Sequence, residues 1–379
     1  MGSGEIKRRP GEALRNDLAA GPAEPFAGAH PPVPAAPRAL ACATMSSVLE
    51  NWSEVLRTQN LSDEKEMDLG SKWLLIVRAS VFPMTITSAA VGGLLAWGDP
   101  TVADASLLNF ALATVGLVLA HAANNMINDW FDLSGGVDGE GYVRTEYAPH
   151  PILSGLISKG GLAAAIVAVN LVDLGILAYF AQTLGFGVVA FALAGLFISV
   201  FYVAPPFKLK HHGLGEPGVF IVWGPLMIGG TYYVTAGSFA PWVLVASLPY
   251  ALLVMTVLIG KHCDKYEADS AKGIKTLPVI LGRERSLFLN QFLMASFFVL
   301  VTCLALVGTL PIWTLAVWVA FPRMLAVWKV FGEPRPSERP ENFPIWPLWY
   351  VAWAFLFTRF AGGMFVAGLV VGAIWPLHL

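Results

Sequence analysis

The stretch Asn124–Asp138, NNMINDWFDLSGGVD, closes a long apolar run and is crowded with Asn and Asp. Asn124, Asn128 and Asp132 are spaced by four. Each step of four turns only about 40° further round a helix, so the three face the same way. Such a polar row at the end of a membrane span is costly and calls for a function. Asp129 stands one residue off that face. Gly135 and Gly136 interrupt the helix and allow the chain to fold back towards Asp138.

The surrounding composition is that of an integral membrane protein. Of 379 residues, 56% are hydrophobic and 13% charged, against roughly 25% charged in soluble domains. The formal net charge of −2 says nothing about nucleic acid, but no basic tract rich enough for that role is present, and no nucleic-acid partner is expected. Cys42, Cys263 and Cys303 have no metal-type spacing and read as free thiols, Cys303 as a buried, inert one.

Residues 1–45, rich in Pro, Ala and Gly, are expected to be disordered. They contain no apolar core of a secretory signal, and their acids argue against a transit peptide. Met45 is a candidate alternative start. Residues 46–70 read as an amphipathic interfacial segment, with Val48, Trp52, Val55 and Leu56 on one side. From residue 71 to 379 the chain forms the transmembrane domain. Apolar runs near 73–97, 104–127, 160–184, 185–203, 217–237, 241–262, 286–308, 311–332 and 346–376 predict nine spans. Gly185 and Gly187 must carry a tight turn between the third and fourth. Lys and Arg alternate between loops, which puts the N-terminus and the loops at 128–159, 204–216, 261–285 and 330–345 on the cytoplasmic side. The plasma membrane of a prokaryote is the expected location. The fold class is therefore all-α and polytopic.

A second acidic cluster, HCDKYEADSAKGIKTLPVILG at 262–282, ends the sixth run on the same side. Asp129, Asp132 and Asp138 face Asp264, Glu267 and Asp269 across one mouth. Mg²⁺ takes oxygen ligands, usually one or two carboxylates plus substrate phosphate oxygens. The two clusters are thus expected to hold metal ions that clamp a diphosphate and neutralise its charge as it leaves. Arg144, Lys208, Lys210 and Lys265 are candidate cations for that leaving group. Asp264 and Asp269 are five apart, about 140° on a continuous helix. Either the helix ends between them, or Glu267 shares the second role. Arg78, near the cytoplasmic side of the first span, can reach the site. Asp173 is expected to pair with Arg323 or Arg359 and hold helices together. Trp223, Tyr232 and Tyr233 are candidate aromatic faces for a cation, although packing is their commoner use.

These motifs resemble those of the UbiA-type intramembrane prenyltransferases. NDWFDLSGGVD is similar to the family's first Asp-rich motif, and DKYEADSAKGIKTLPVILG to its second. YVAPPFKLKHHGLGEPGVFIVWGPLMIGGTYYV at 202–234 is similar to the matching region of 1,4-dihydroxy-2-naphthoate prenyltransferases, and HPILSG at 150–155 to a further family segment. The resemblance covers roughly 73–376. It implies nine helices around a central cavity, capped on the cytoplasmic side. It also implies Mg²⁺ as cofactor, a polyprenyl diphosphate as donor and an aromatic acceptor that attacks the allylic cation, all within the lipid bilayer. Carried over, Asn128, Asp132 and Asp138 fall on the first motif and Asp264 and Asp269 on the second. Asp132 and Asp264 are the catalytic candidates. Asn124, Arg144, Lys208, Lys210 and Lys265 are expected at the diphosphate, and Arg78, Tyr202 and Tyr232 in the substrate cavity. The chain departs from the naphthoate enzymes after the first motif, where it reads RTEYAPHPILSG with His150 at a usual Arg, and in the one-residue insertion of the second motif. Rival readings are a different acceptor, cyclisation of the prenyl diphosphate without one, and a transporter built on Asp173 and the arginines.

Overall fold

The computed structural model describes residues 45–139, 143–341, 343 and 345–379. The extension 1–45, expected to be disordered, lies outside them except for Met45. The described residues form helices α1 (Met45–Thr58), α2 (Leu69–Ile76), α3 (Phe82–Gly98), α4 (Leu107–Ser134), α5 (Lys159–Leu184), α6 (Gly187–Phe201), α7 (Gly215–Ala236), α8 (Leu248–Asp264), α9 (Arg283–Leu306), α10 (Ile312–Phe331) and α11 (Trp349–Ile374), joined by short helical turns. Seven helices, with α3 extended by the 3-10 turn that leads into it from Ala79, are long and apolar enough to cross a bilayer. The runs expected at 185–203 and 241–262 fall on α6, of 15 residues, and α8, of 17. Both are shorter than the roughly 20 residues that a 30 Å hydrocarbon core asks for, so the count of nine full-length spans does not follow from helix length.

Local chemistry sets the helix ends. Ser106 and Ser158 each accept a backbone N–H as N-caps of α4 and α5. Gly185, at φ +86°, makes the tight turn between α5 and α6. Pro225 lies inside α7, where the helix widens to a π turn over Val222–Leu226. Ser88 of α3 donates to the Trp223 carbonyl there, at 2.7 Å. That is how a broken hydrogen-bond ladder is usually repaired inside a membrane. α10 begins as a 3-10 helix, Ile312–Ala320. Its longer rise stretches a 20-residue span to about 34 Å.

The main apolar core lies among α3, α7, α8, α9, α10 and α11. Glycines set the closest approaches. A Cβ on Gly92 would lie 2.5 Å from the Ile228 carbonyl, and one on Gly260 would lie 3.1 Å from the backbone of Tyr350. So α3 packs tightly on α7, and α8 on the start of α11. By contrast α5 buries only Leu162 and Phe180, and Val167, Leu171, Val172 and Leu174 face outward, as a lipid-facing helix does. Cys303 is likewise exposed, contrary to the buried thiol expected, whereas Cys263 is buried.

α1 packs on the protein through a mostly polar face. Asn51, Glu54, Val55 and Thr58 are buried, while Met45, Leu49, Trp52 and Leu56 remain exposed. Asp68, the N-cap of α2, pins α1 by accepting from Asn51 Nδ2 at 3.2 Å and Trp52 Nε1 at 2.9 Å.

Candidate active site at the acidic mouth

Asp129, rather than Asp132, is the hub of the first motif. It is fully buried on α4. Arg78 binds it through Nε at 3.3 Å and more closely through Nη2. Arg144 Nε lies 3.4 Å and His150 Nε2 3.8 Å from its Oδ1. His150 Nε2 is also 3.6 Å from Asp138 Oδ2. Burial, and then Arg144 behind it, holds the His150 imidazole below its ordinary range despite Asp129 and Asp138. Arg78 occupies the left-handed region at φ +55°, and the preceding Val77 carbonyl is held by Asn125 Nδ2 at 3.0 Å. α4 therefore fixes the kink that presents Arg78. The face argument ranked Asp129 second. The missed signal was Arg78, a cation at the membrane edge that requires a carboxylate.

Asp132 binds Lys210 Nζ through Oδ2 at 2.9 Å. Burial works against the Lys210 charge, but Asp132 and then Asp269 outweigh it and raise its pKa. Asn124 accepts from Ser199 of α6 at 2.9 Å. Asn128 Oδ1 is buried without a hydrogen-bond partner, and Asn128 lines the cavity. Beyond Ser134 the chain folds back at Gly136, φ +72°. The Val137 and Asp138 amides then both donate to the Asp132 carbonyl, at 2.7 and 3.0 Å.

The second motif closes onto the first. Lys272 donates to the carbonyls of Gly136 and Val137, and Val137 packs on Ile274. α8 ends at Asp264 and a short helix, Tyr266–Ala271, begins beyond Lys265. The helix thus breaks between Asp264 and Asp269. Asp269 is fully buried, within electrostatic reach of Lys210 and Lys265. Burial, with Lys210 adding to it, lowers the Lys265 pKa to about 8.

Asp264 departs from its expected role. Its two oxygens accept the backbone amides of Tyr350 and Val351, each at 2.9 Å. It therefore caps the start of α11, which otherwise has no side-chain cap. The close approach at Gly260 brings it there. Glu267 pairs with Arg283 near the surface. Lys208, at φ +42°, takes no part in the ion pairs of the mouth among the described residues and does not line the cavity.

Below the mouth lies a cavity of about 1040 Å³. Arg78, Tyr202 and Trp223 line it, as do Asn124, Asn128, His121 and Lys261. Tyr232 does not. It is buried at the far end of α7, where its hydroxyl donates to Asp99, so its place in the substrate cavity is corrected to a structural one. Among the described residues Asp173 forms no ion pair with an arginine either. Asp173, Arg323 and Arg359 all line the cavity, and Asp173 Oδ1 is buried without a partner.

The donor set at the mouth suits a hard divalent cation. Ligand atoms of Asp129, Asp138 and His150 lie within 4.8 Å of one another. Asn128 offers an orphaned oxygen, and Asp132 stands on the same helix face. Oxygen donors from Asn128, Asp132 and Asp138 match Mg²⁺. The imidazole of His150 and the doubly salt-bridged Asp129 match it less well.

A family model, the UbiA prenyltransferase family, matches residues 85–356. UbiA prenyltransferase domain-containing protein 1 of Danio rerio is 27% identical over 271 residues, covering 68% of this chain and 76% of that protein. The 2-carboxy-1,4-naphthoquinone phytyltransferase of Synechocystis is 26% identical over 211 residues, 55% of this chain and 66% of that one. Among solved structures, a UbiA homologue from Archaeoglobus fulgidus bound to GPP and Mg²⁺ shares the fold with a TM-score of 0.51 at 19% identity, covering 78% of this chain and 99% of that chain. With more than half of its length matched by one family model, and the Asp-rich mouth and cavity in place, the chain belongs to the UbiA prenyltransferase family, as a multi-pass membrane prenyltransferase.

Proposed function

We propose that the chain transfers a polyprenyl group from an allylic diphosphate to an aromatic acceptor of the quinone-precursor type, with Mg²⁺ at the acidic mouth. One observation carries this reading most: two Asp-rich motifs, distant in sequence, are tied together over a cavity large enough for a prenyl chain and an aromatic ring. The metal and prenyl diphosphate in the archaeal homologue and the naphthoquinone relative support it. Asn128, Asp132, Asp138 and Asp269 would hold the metal, which when bound supplies charge neutralisation to the departing diphosphate. Arg144, Lys210 and Lys265 bind the phosphate oxygens not met by metal. As the C1–O bond breaks, these fixed cations stabilise charge on the leaving diphosphate in a water-poor site. A ring carbon of the acceptor then forms the new C–C bond to C1, and the ring recovers aromaticity by releasing H⁺, or CO2 where a carboxylate occupies that carbon, with the bonding pair staying in the ring. Loop charge supports a cytoplasmic mouth and N-terminus. With a vertebrate protein among the relatives, kinship does not favour a prokaryotic plasma membrane. The outward apolar face of α1 supports an interfacial position beside the mouth.

Diphosphate release from a labelled polyprenyl diphosphate tests this. Asp132→Asn and Asp138→Asn, and chelation of the wild type, are each expected to lower the rate by at least about 100-fold, the scale of removing one electrostatic stabiliser. Wild-type rates in the variants and in chelator would overturn the metal reading. Product formation across a panel of aromatic acceptors identifies the second substrate.

A further inference from the structure

Three charged side chains lie well inside the spans, away from the mouth: Asp173 on α5, Arg323 on α10 and Arg359 on α11. All three line the cavity. The arginines form no ion pair and no hydrogen bond among the described residues. Each is stacked on an aromatic ring instead. The Arg323 guanidinium carbon is 4.4 Å from the Phe360 ring centroid, and that of Arg359 is 5.6 Å from the ring of Phe355.

Their depth makes this costly. Arg359 lies about 15 Å along α11 from Trp349, and Arg323 about 12 Å from the end of α10 at Phe331. In a hydrocarbon core about 30 Å thick, both backbones sit near the middle. A helical side chain leans towards its helix N-terminus. α11 starts at the end where Asp264 caps it, so Arg359 leans back towards the acidic mouth, and the ring it covers, four residues earlier, lies in that direction. A phenylalanine face attracts a cation but accepts none of the five guanidinium N–H groups. The rings therefore hold the arginines in place and leave their hydrogen bonds to be completed by something that enters the cavity.

We propose that Arg323 and Arg359 form an anion station, separate from the diphosphate site, that receives the acidic group of the acceptor. The inference rests on the prenyl-transfer reading above. The donor carries its own anion to the mouth, where Arg144, Lys210 and the metal-binding oxygens wait, and its tail is neutral. The acceptor is the substrate left to bring an anion to the α10–α11 wall. A guanidinium fork matches a carboxylate or a phosphate in bidentate fashion. Such an anion also has a second source, the phosphate of a bilayer lipid.

The test uses the full chain in neutral phosphatidylcholine nanodiscs, with 1,4-dihydroxy-2-naphthoate and its uncharged analogue 1,4-naphthalenediol as acceptors. In Arg359→Gln and Arg323→Gln the preference for the naphthoate over the diol, as a ratio of kcat/KM, is expected to fall about tenfold, the usual effect of losing a charged hydrogen bond. Arg359→Lys keeps the charge and loses the fork, so it should lose only part of that preference. Thermal unfolding establishes that each variant is folded. An unchanged ratio overturns the proposal. So does a change in ratio that appears only when phosphatidylglycerol is added, which would assign the arginines to lipid. Equilibrium binding of the naphthoate without donor separates this inference from the reaction itself. If neither acceptor is prenylated, weaker naphthoate binding in Arg359→Gln still supports the station, and equal binding overturns it.

Discussion

At the scale of single residues, the mouth is a set of charges that sustain one another. Asp129 is completely buried, and Arg78 and Arg144 touch it. Breaking a buried pair costs more than removing both members, because the survivor is left desolvated. Arg78→Met is therefore expected to cost about 3 kcal/mol, the low end for a broken buried pair because Arg144 remains. The double variant Arg78→Met, Asp129→Asn should regain most of that stability in thermal unfolding and still fail to release diphosphate. A double variant no more stable than the single would show that Arg78 acts elsewhere. The row Asn124–Asn128–Asp132 was legible from spacing alone, since helix geometry fixes a face. Asp129 and Asp264 were less legible. Their partners, Arg78 and the start of α11, are brought to them by a left-handed kink and by a glycine contact, and neither has a periodicity to read.

At the scale of elements, most helix limits followed from apolar runs, capping serines and glycine turns. α1 was legible as an amphipathic interfacial segment, but the face it packs with, Asn51, Glu54, Val55 and Thr58, was not, because a mostly polar face leaves no apolar pattern to read. What fixes α1 is Asp68, buried at the N-terminus of α2. Burial alone would raise its pKa, but hydrogen bonds from Ser71, then Trp52 and Asn51, prevail and lower it to about 2 from an ordinary 3.8. The folded state thus favours the carboxylate. Its stabilisation is complete above about pH 4 and is lost as pH falls towards 2. Hydrogen exchange of α1 should accelerate over that interval, before the core helices respond. Asp68→Ala should show the faster exchange already at neutral pH, with a loss of about 1 kcal/mol, typical of removing an N-cap. Unchanged α1 protection in both conditions would remove Asp68 as the anchor.

At the scale of the whole molecule, hydropathy alone announced a helical membrane protein, but not how unevenly its helices pack. α8, α9 and α11 share a dense aromatic core, whereas α5 is held mainly along one face by α4 and leaves the rest to lipid. The cavity reaches that lightly packed side, where Gly116 of α4, Asp173 and Ile176 line it. Gly116 is sixteen residues before Asp132, about 24 Å along the helix. With the diphosphate held at the mouth, the distal part of a long prenyl chain must reach this level. A Cβ on Gly116 would lie 3.5 Å from Asp173 Oδ1 and 3.7 Å from Ile176, which is ordinary contact for a methyl group, and the rest of a longer side chain must enter the cavity that Gly116 lines. Gly116→Leu is accordingly expected to leave the unfolding temperature near that of the wild type, since an alanine-like gain in helix propensity offsets part of any crowding. It should also preserve turnover of a short donor such as geranyl diphosphate. For donors long enough to pass Gly116, kcat/KM should fall by at least about tenfold, the effect of one side chain's worth of lost apolar contact. Competition between short and long prenyl diphosphates in one reaction measures this directly. An unchanged long-to-short ratio would show that the prenyl chain leaves the mouth by another route, and that the Gly116 end of the cavity serves something else.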